Sequence, residues 1–344
     1  MTSKVSRPSC MDVARHAGVS QATVSRVFSA EVSKVSEKSR NKVLKAAAEL
    51  NYRPNIIARG LSKNSTQIIG VIVTRFENSF YTESIQYFTR FLQEAGYTAM
   101  VFNCDPGDME SALPLAFQYQ VDGIIIASAS LSKSMVAQCA ELGTPVVAYN
   151  RYSPTLPISA VSSDNYRIGA AVAEYLYGLG HRRCAFLGGD INIILPVKDR
   201  VDGFRQGLED NGQSLFAAAY GGNTYEAGYE LAREMLGAGE RPDAIFCCNY
   251  MVAIGVIDAA REECGLSVPE DVSVVGFYDH PLAASRSYRL TTVSLPVRDI
   301  AWAAVEILLA SIKAEDNSIS TKMFPGEIVE RGSVLRRGDM EVES

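Results

Sequence analysis

The sequence predicts an α/β protein in which a small all-helical head precedes a larger, two-lobed body of parallel sheets sandwiched by helices. Three observations support this prediction. Residues 9–51 repeat apolar side chains at helical spacing. From residue 67 onward, continuous apolar runs such as 68–73 and 123–128 alternate with helical segments, which is typical of parallel strands buried on both faces. The alternation occurs in two similar series, which predicts two lobes with a cleft between them.

Composition narrows the classes of protein to be considered. The chain has 344 residues, of which 47% are hydrophobic and 21% are charged, so it can bury a large core and is not a disordered protein. It contains no apolar run of about 20 residues that could span a bilayer, and we expect no membrane partner. The first ten residues have no apolar stretch of the kind that a secretory signal needs. We therefore expect a cytoplasmic protein.

Cysteine and histidine usage predicts neither a metal site nor a cofactor. The seven cysteines show no CxxC spacing, and Cys247 and Cys248 are adjacent within an apolar run, which argues against a zinc site or a disulfide framework. The three histidines, His16, His181 and His280, are far apart in the sequence. We therefore assign no catalytic residue and no metal ligand, and we expect no cofactor.

The charge is distributed unevenly along the chain. Residues 1–66 contain 12 Lys and Arg but 4 Asp and Glu, a net charge of +8. The remainder contains 21 basic and 35 acidic residues, a net charge of −14. A basic head on an acidic body is typical of a protein with a polyanionic partner. The alternative, a solvated basic arm, is less consistent with the helical spacing of the head.

The head carries the start and stop signals of three short helices. Ser9 and Asp12 form a capping-box-like pair for the first helix, and Gly18 suits its left-handed end. Ser20 can cap a second helix, and Ser36 can cap a third. Two short helices across a glycine turn form a helix-turn-helix, whose second helix enters the major groove of DNA.

These signals divide the chain into three parts. The helix-turn-helix domain occupies 1–54, because Pro54 closes the third helix. A hinge and polar linker occupy 55–66, and the two-lobed body occupies 67–344. Ligands of such folds bind beyond the carboxyl ends of the strands, which predicts a site in the cleft.

Motifs along nearly the whole chain resemble, in order, those of the LacI/GalR (lac-repressor) family of bacterial transcription regulators. They are DVARHAGVSQATVSRV (12–27), KVLKAAAELNYRPNIIARGL (42–61), IGV (69–71), YLYGLGHRRCAFLGG (175–189), DRVDGFRQGL (199–208), SVVGF (273–277), LTTV (290–293) and ERGSVLRR (330–337). The resemblance implies a repressor that binds a palindromic DNA operator as a homodimer. It also implies a periplasmic-binding-protein-like body that holds a small-molecule effector, with induction and co-repression both open.

The resemblance further implies how the body is divided. The N-lobe would comprise about 67–163 and 294–325, and the C-lobe about 164–293 and 326–344. The effector would lie between them.

The same resemblance assigns the residues of the second helix that contact DNA. Gln21, Ala22 and Arg26 would face base edges, while Thr23 and Ser25 would hold phosphates. Arginine can form two hydrogen bonds with guanine and glutamine two with adenine, whereas alanine can only pack on a thymine methyl group. Phosphate contacts position the head without reading the sequence.

A hinge helix is implied to contact DNA through Asn55, Arg59 and Leu61, with Leu61 as an apolar wedge in the minor groove. Gly60, next to the wedge, departs from what such a helix favours, because glycine lowers helix propensity by up to about 1 kcal/mol. We therefore expect this hinge to become ordered less readily.

The resemblance implies effector contacts at four matched positions, to which the N-lobe adds two aromatic side chains: Asn150, Arg200, Asn249, Tyr278, Phe80 and Tyr81. A guanidinium in a cleft can clamp a pair of hydroxyls or a carboxylate. The alternative for Arg200 is a local ion pair with Asp202 or Glu209.

Several cleft positions depart from the family pattern toward apolar and aromatic side chains. Tyr250 and Tyr278 stand where the family has Asp, Leu295 stands where Gln is typical, and the loop 191–198 is apolar. A sugar-like effector would find fewer hydrogen-bond acceptors there. We expect an effector with an aromatic or apolar part, for which an acid group is one possible partner of Arg200; a sugar-like effector is the alternative. The alternative is that the two tyrosines only pack the lobe interface.

Three other classes of function have weaker support. A dinucleotide-dependent oxidoreductase needs a G-x-G-x-x-G after a strand, but Gly178 and Gly180 follow a helix and lack the third glycine. A hydrolase would need a G-x-S-x-G or a similar triad, and none is present. A periplasmic-type binding protein without a DNA role would have no use for the basic head. We therefore expect a regulator and not an enzyme.

Overall fold

The computed structural model of the chain describes residues 8–28, 35–53, 65–74, 78–105, 109–127, 131–152, 155–191, 194–237, 239–314 and 318–337. Two compact units are present, Met1–Thr66 and Gln67–Ser344. We refer to them as the head and the body. No helix in these ranges is long and apolar enough to cross a bilayer.

The described part of the head contains three helices, α1 (Cys10–Ala17), α2 (Gln21–Val27) and α3 (Glu37–Glu49). Helix α1 begins with the predicted capping box, in which Ser9 and Asp12 each bond the other's backbone amide. It ends at Gly18, whose φ of +64° is the left-handed conformation that favours glycine.

Seven small apolar side chains form the core of the head: Val13, Ala14, Val24, Val27, Val43, Ala46 and Ala47. All three helices contribute to it, so each helix buries one apolar face against the other two. At the surface, the imidazole of His16 on α1 lies 2.7 Å from the carboxylate of Glu49 on α3. The helix-turn-helix is therefore packed as a small domain of its own.

The first sheet of the body has six parallel strands in the order β11-β5-β4-β3-β1-β2. They are β1 (Ile68–Val73), β2 (Thr98–Asn103), β3 (Gly123–Ala127), β4 (Val146–Tyr149), β5 (Ser159–Ser163) and β11 (Thr321–Phe324). The helices of this lobe are α4 (Ser79–Glu94), α5 (Met109–Gln118), α6 (Lys133–Glu141) and α11 (Val297–Ile312).

The second sheet has four parallel strands in the order β7-β6-β8-β9. They are β6 (Cys184–Leu187), β7 (Ala217–Ala219), β8 (Ala244–Cys247) and β9 (Ser273–Val275). Its helices are α7 (Asn165–Gly178), α8 (Leu195–Asp210), α9 (Tyr225–Gly237) and α10 (Tyr250–Glu262). An antiparallel pair, β10 (Thr292–Ser294) with β12 (Glu327–Val329), lies where the chain passes between the lobes. The predicted α/β class with two lobes of parallel sheets is confirmed.

Two details differ from the sequence prediction. The segment 191–198 is not entirely a loop, because α8 begins at Leu195 and includes Pro196 in its first turn. Proline is favoured there because its missing N–H has no helical partner to lose. The apolar runs also do not predict the helix over 297–312 or five short strands. Of these strands, β5, β7 and β11 extend the two parallel sheets, and β10 and β12 pair with each other.

Helices α7 and α8 approach each other closely because glycines line their contact. A Cβ atom at Gly203 would lie 1.9 Å from the carbonyl oxygen of Tyr166. No side chain fits at that distance, so the close packing of the two helices requires glycine. This packing fixes the start of α8, which carries Arg200.

Candidate functional site

Helix α2 presents a polar face on the outside of the head. Gln21, Ala22, Ser25 and Arg26 are all exposed. Their spacing places them on one side of the helix. Val24 and Val27 point to the opposite side and are buried in the core of the head, so the exposed face is available for contact with another molecule.

The predicted phosphate contact Thr23 lies at the edge of this face and is half-buried. Its hydroxyl lies 2.9 Å from that of Ser20, and its backbone amide donates to the Ser20 hydroxyl at 3.2 Å. These bonds cap α2. The predicted hinge contacts Asn55, Arg59 and Leu61 lie outside the described residues.

A cavity of about 340 Å³ lies at the carboxyl ends of strands from both sheets, where parallel α/β folds bind their ligands. Its lining includes all six residues for which an effector contact is predicted: Phe80, Tyr81, Asn150, Arg200, Asn249 and Tyr278. Phe80 and Tyr81 come from the first turn of α4, and Asn150 follows β4. We call this space the effector cavity.

Aromatic rings form much of its wall. The ring of Phe80 stacks on Tyr149 with centroids 5.7 Å apart, and it meets the edges of Tyr81 and Tyr278 at 5.4 and 5.9 Å. Aromatic pairs of this geometry stabilise each other beyond the area that they bury. The wall is therefore preformed and can receive a flat apolar group.

Two residues of the cavity have left-handed backbones without being glycine. Asn150 has a φ of 56° and Tyr278 a φ of 74°. Such conformations cost of the order of 1 kcal/mol or more and cluster at functional sites. At Asn150, the side-chain amide donates to the Tyr81 hydroxyl at 3.2 Å, which joins two of the predicted effector contacts.

Arg200 is a buried cation, 5% exposed, among the residues that line the cavity. Its Nη1 donates to the Cys248 carbonyl, its Nη2 donates to Asn165 Oδ1 at 2.7 Å, and its Cζ lies over the ring of Phe277, 3.2 Å from the ring centroid. Within the described chain its Nε has no hydrogen-bond partner and its charge has no ion pair. Asp202 instead pairs with Lys198 and Arg205, so the local ion pair considered for Arg200 is excluded.

The surroundings of Arg200 explain how its charge behaves. Burial lowers the pKa of its guanidinium to about 9, against the opposing influence of Cys248 and Asp199. The group therefore stays protonated at neutral pH. No anion forms an ion pair with this buried cation among the described residues, so an anionic ligand would stabilise it.

Asn249 caps helix α10. Its Oδ1 accepts from the amide of Val252 at 2.8 Å, and its Nδ2 donates to the carbonyl of Asn223 at 2.8 Å. One donor hydrogen and the remaining acceptor capacity of the amide are left for a ligand.

Tyr250 and Tyr278 line the cavity and also bridge the two lobes. The hydroxyl of Tyr278 donates to the carboxylate of Glu83, and that of Tyr250 lies 2.9 Å from the hydroxyl of Ser79. Burial, followed by the bond to Glu83, raises the pKa of Tyr278, so its phenol stays protonated. These two tyrosines therefore both pack at the lobe interface and line the cavity.

Ser79 and Glu83 are not predicted from the sequence as site residues. They lie four positions apart and therefore share one face of α4. An acidic residue at that spacing from the start of a cleft-lining helix is the signal that could have identified Glu83.

Comparisons with known proteins agree with this geometry. The model of the bacterial regulatory proteins of the lacI family matches residues 10–55, and the model of the periplasmic binding protein-like domain matches 173–334. Catabolite control protein A of Priestia megaterium is 31% identical over 94% of this chain and 98% of its own. The HTH-type transcriptional repressor PurR of Photobacterium profundum is 30% identical over 94% and 97%.

Solved structures agree as well. The lac repressor bound to ONPG in the repressed state superimposes with a TM-score of 0.87, at 27% identity over 96% of this chain and all of the other. The lac repressor dimer bound to operator and the anti-inducer ONPF gives a TM-score of 0.86 at 26% identity, over 96% of this chain and all of the other. These proteins are transcriptional regulators and not enzymes. The chain therefore belongs to the LacI family of bacterial regulatory proteins.

Proposed function

We propose that this LacI-family regulator is a cytoplasmic repressor that binds a roughly palindromic operator as a homodimer, with its DNA affinity controlled by a small molecule in the effector cavity. The exposed polar face of α2, which includes Gln21 and Arg26, supports the DNA contact. The likeness to a lac repressor dimer on its operator supports the assembly. A two-fold dimer presents two heads, which explains the palindrome.

The cavity favours an anionic effector with a flat apolar part. Arg200 supplies a buried positive charge whose described neighbours include no ion-pair partner, and the rings of Phe80, Tyr81 and Tyr278 supply an apolar surface. A carboxylate would neutralise the cation through charge-assisted hydrogen bonds. An aromatic ring would pack against the aromatic wall.

A hydroxyl-rich sugar would gain less in this cavity. The hydroxyl proton of Tyr278 is already donated to Glu83, and the amide of Asn249 makes two bonds within the protein. Sugar hydroxyls left without partners after leaving water would oppose binding. The main support for the proposed effector class is therefore that the cavity offers one buried cation and an aromatic wall, while its other polar groups are already bonded within the protein.

Isothermal titration calorimetry on the full chain tests the effector class. The titrants are a set of aromatic monocarboxylates and a set of unmodified hexoses, at equal concentration and ionic strength. We expect saturable binding of at least one aromatic acid and no detectable binding of the hexoses. Tight binding of an unmodified hexose would overturn the proposed class.

Arg26→Ala is expected to reduce sequence discrimination. Loss of a two-bond arginine contact with guanine costs about 1–3 kcal/mol on the cognate site, while the loss of one cation weakens binding to random DNA only modestly. Fluorescence anisotropy with a duplex selected from a random pool and its scrambled counterpart measures both affinities. Lys45→Ala, which removes an exposed charge from α3, is the control. Equal weakening on both duplexes by Arg26→Ala would rule out base reading by this residue.

Glu83→Ala is expected to weaken the closed arrangement of the lobes in the ligand-free protein. It removes the carboxylate acceptor of the buried Tyr278 hydroxyl and leaves only the longer contact to the Ser79 carbonyl, at 3.4 Å. A hydrogen bond to a charged group contributes about 1.5–3 kcal/mol. Small-angle X-ray scattering should show a larger radius of gyration, and the melting temperature should fall. Glu94→Ala, on the same helix but in an exposed pair with Arg90, should change neither. A Glu83→Ala protein as compact and stable as the wild type would contradict a role for this bond.

A further inference from the structure

A second cavity, of about 240 Å³, lies beside the effector cavity near the point where β5 leads into α7. It is lined by residues from four described elements and the loop after β4, and among them are Tyr152, Ser163, Asp164, Tyr166 and Asp199. Pro196 lines both cavities. We call this space the acidic cavity.

The two carboxylates of the acidic cavity, those of Asp164 and Asp199, differ in their hydrogen bonds and ion pairs. Asp164 caps α7 by accepting from the amide of Arg167 at 3.2 Å and lies 3.5 Å from the largely exposed guanidinium of that residue. Asp199 is half-buried, and no hydrogen bond or ion pair to it is found within the described chain. Burial raises the pKa of Asp199; the charges of Lys198 and Arg200 oppose that effect, and those of Asp202 and Asp164 add to it. A cation in the cavity would therefore gain from the charge of Asp199.

The remaining lining is suited to an organic cation. Ser163 is 3% exposed, and its hydroxyl has no partner among the described atoms, although a buried hydroxyl normally has one. Tyr152 and Tyr166 are 38% and 44% exposed, and tyrosine ring faces attract ammonium groups. Met323 adds an apolar wall. No group of three or more potential metal ligands occurs in the ranges that the structure covers.

We propose that the acidic cavity binds a small organic ammonium ion, with Asp199 as its counter-ion and the rings of Tyr152 and Tyr166 beside it. The carboxylate provides the charge, the rings stabilise a cation that carries alkyl groups, and Ser163 provides an acceptor for an N–H. This site is separate from the proposed effector site and binds a ligand of opposite charge.

Besides Pro196, a hydrogen-bonded side chain links the two cavities. Asn165 lines the acidic cavity, accepts from Nη2 of Arg200 at 2.7 Å and donates to the carbonyl of Ser163 at 3.0 Å. A ligand that shifts Asn165 also shifts the guanidinium that faces the effector cavity.

Calorimetry on the full chain with methylammonium, n-butylammonium and tetramethylammonium chlorides tests the site directly, with n-butanol and potassium chloride as matched controls. We expect saturable binding of at least one ammonium ion and none of either control. Asp199→Asn should weaken that binding about ten-fold or more, because it removes a charged partner. Asp202→Asn, one turn further along α8 and paired with Lys198 and Arg205, should not.

Tyr166→Leu provides a second variant, because the ring of Tyr166 is partly exposed and the change keeps the apolar bulk. It should weaken binding of tetramethylammonium several-fold without lowering the melting temperature. Absence of saturable binding by all three ions, equal binding of n-butanol, or unchanged binding by Asp199→Asn would overturn the proposal. None of these outcomes depends on whether an aromatic acid binds the effector cavity.

Discussion

Arg200→Met is expected to weaken binding of an aromatic acid to the effector cavity by at least about 100-fold, since hydrogen bonds to charged groups contribute about 1.5–3 kcal/mol each. Methionine keeps an unbranched apolar stem in place of that of arginine but removes the buried charge. Calorimetry with the acid that binds best to the wild type measures the loss. The variant should also respond to that acid with no change in DNA affinity.

Arg205→Met is the matched control for this substitution. Arg205 lies on the same helix, is partly exposed, and pairs with Asp202. Its replacement should leave acid binding unchanged, and melting curves of both variants check that they are folded. If the Arg200→Met protein is folded and still binds the acid with wild-type affinity, Arg200 does not hold the effector's acid group.

Gly203→Ala is expected to destabilise the body severely. A Cβ atom at this position would lie 1.9 Å from the Tyr166 carbonyl oxygen, so α7 and α8 must move apart. Overpacking of a core typically costs about 1–3 kcal/mol and can cost more where the obstacle is backbone. For a domain of this size, each kcal/mol lowers the melting temperature by roughly 2–4 °C. Thermal unfolding followed by circular dichroism measures the shift.

Gly178→Ala tests the same change without the clash. Gly178 is the last residue of α7, and a Cβ atom there would meet nothing within 4 Å. Alanine favours a helix by up to about 1 kcal/mol over glycine, so this variant should be as stable as the wild type or slightly more stable. A Gly203→Ala protein with an unchanged melting temperature would show that the close approach of α7 and α8 is not required.

The head could be predicted closely because its signals are local. Ser9, Gly18 and Ser20 act within one turn of their own helix ends, and caps of this kind can be recognised from neighbouring residues alone. The long apolar strands of the body were predictable for a similar reason, since β1 and β3 are continuous buried runs.

The short strands could not be predicted in this way. β7, β10 and β12 have three residues each, so no periodicity can be read from them. They form because distant segments supply their partners, as β12 does for β10. The start of α8 at Leu195 is hard to predict because it lies within an apolar run that has no helical spacing. Pro196 is nevertheless a recognised signal of a first helical turn.

The residues that line the effector cavity could be predicted from the sequence, but the bonds between them could not. Asn150 follows a strand, and parallel topology places the ends of such strands at the cleft. Arg200 is predicted only through the family resemblance. The hydrogen-bond partners of the tyrosines could not be predicted, because the bonds from Tyr278 to Glu83 and from Tyr250 to Ser79 join segments far apart in the sequence. Such contacts depend on how the lobes close.

The most direct test is the affinity of the full chain for its own operator, selected from random duplexes, measured by fluorescence anisotropy with and without a saturating aromatic acid. We expect a selected palindrome, and a change of at least about five-fold in Kd when the acid is bound. An acid that occupies the cavity yet leaves the Kd for the operator unchanged would contradict control of DNA binding by this cavity.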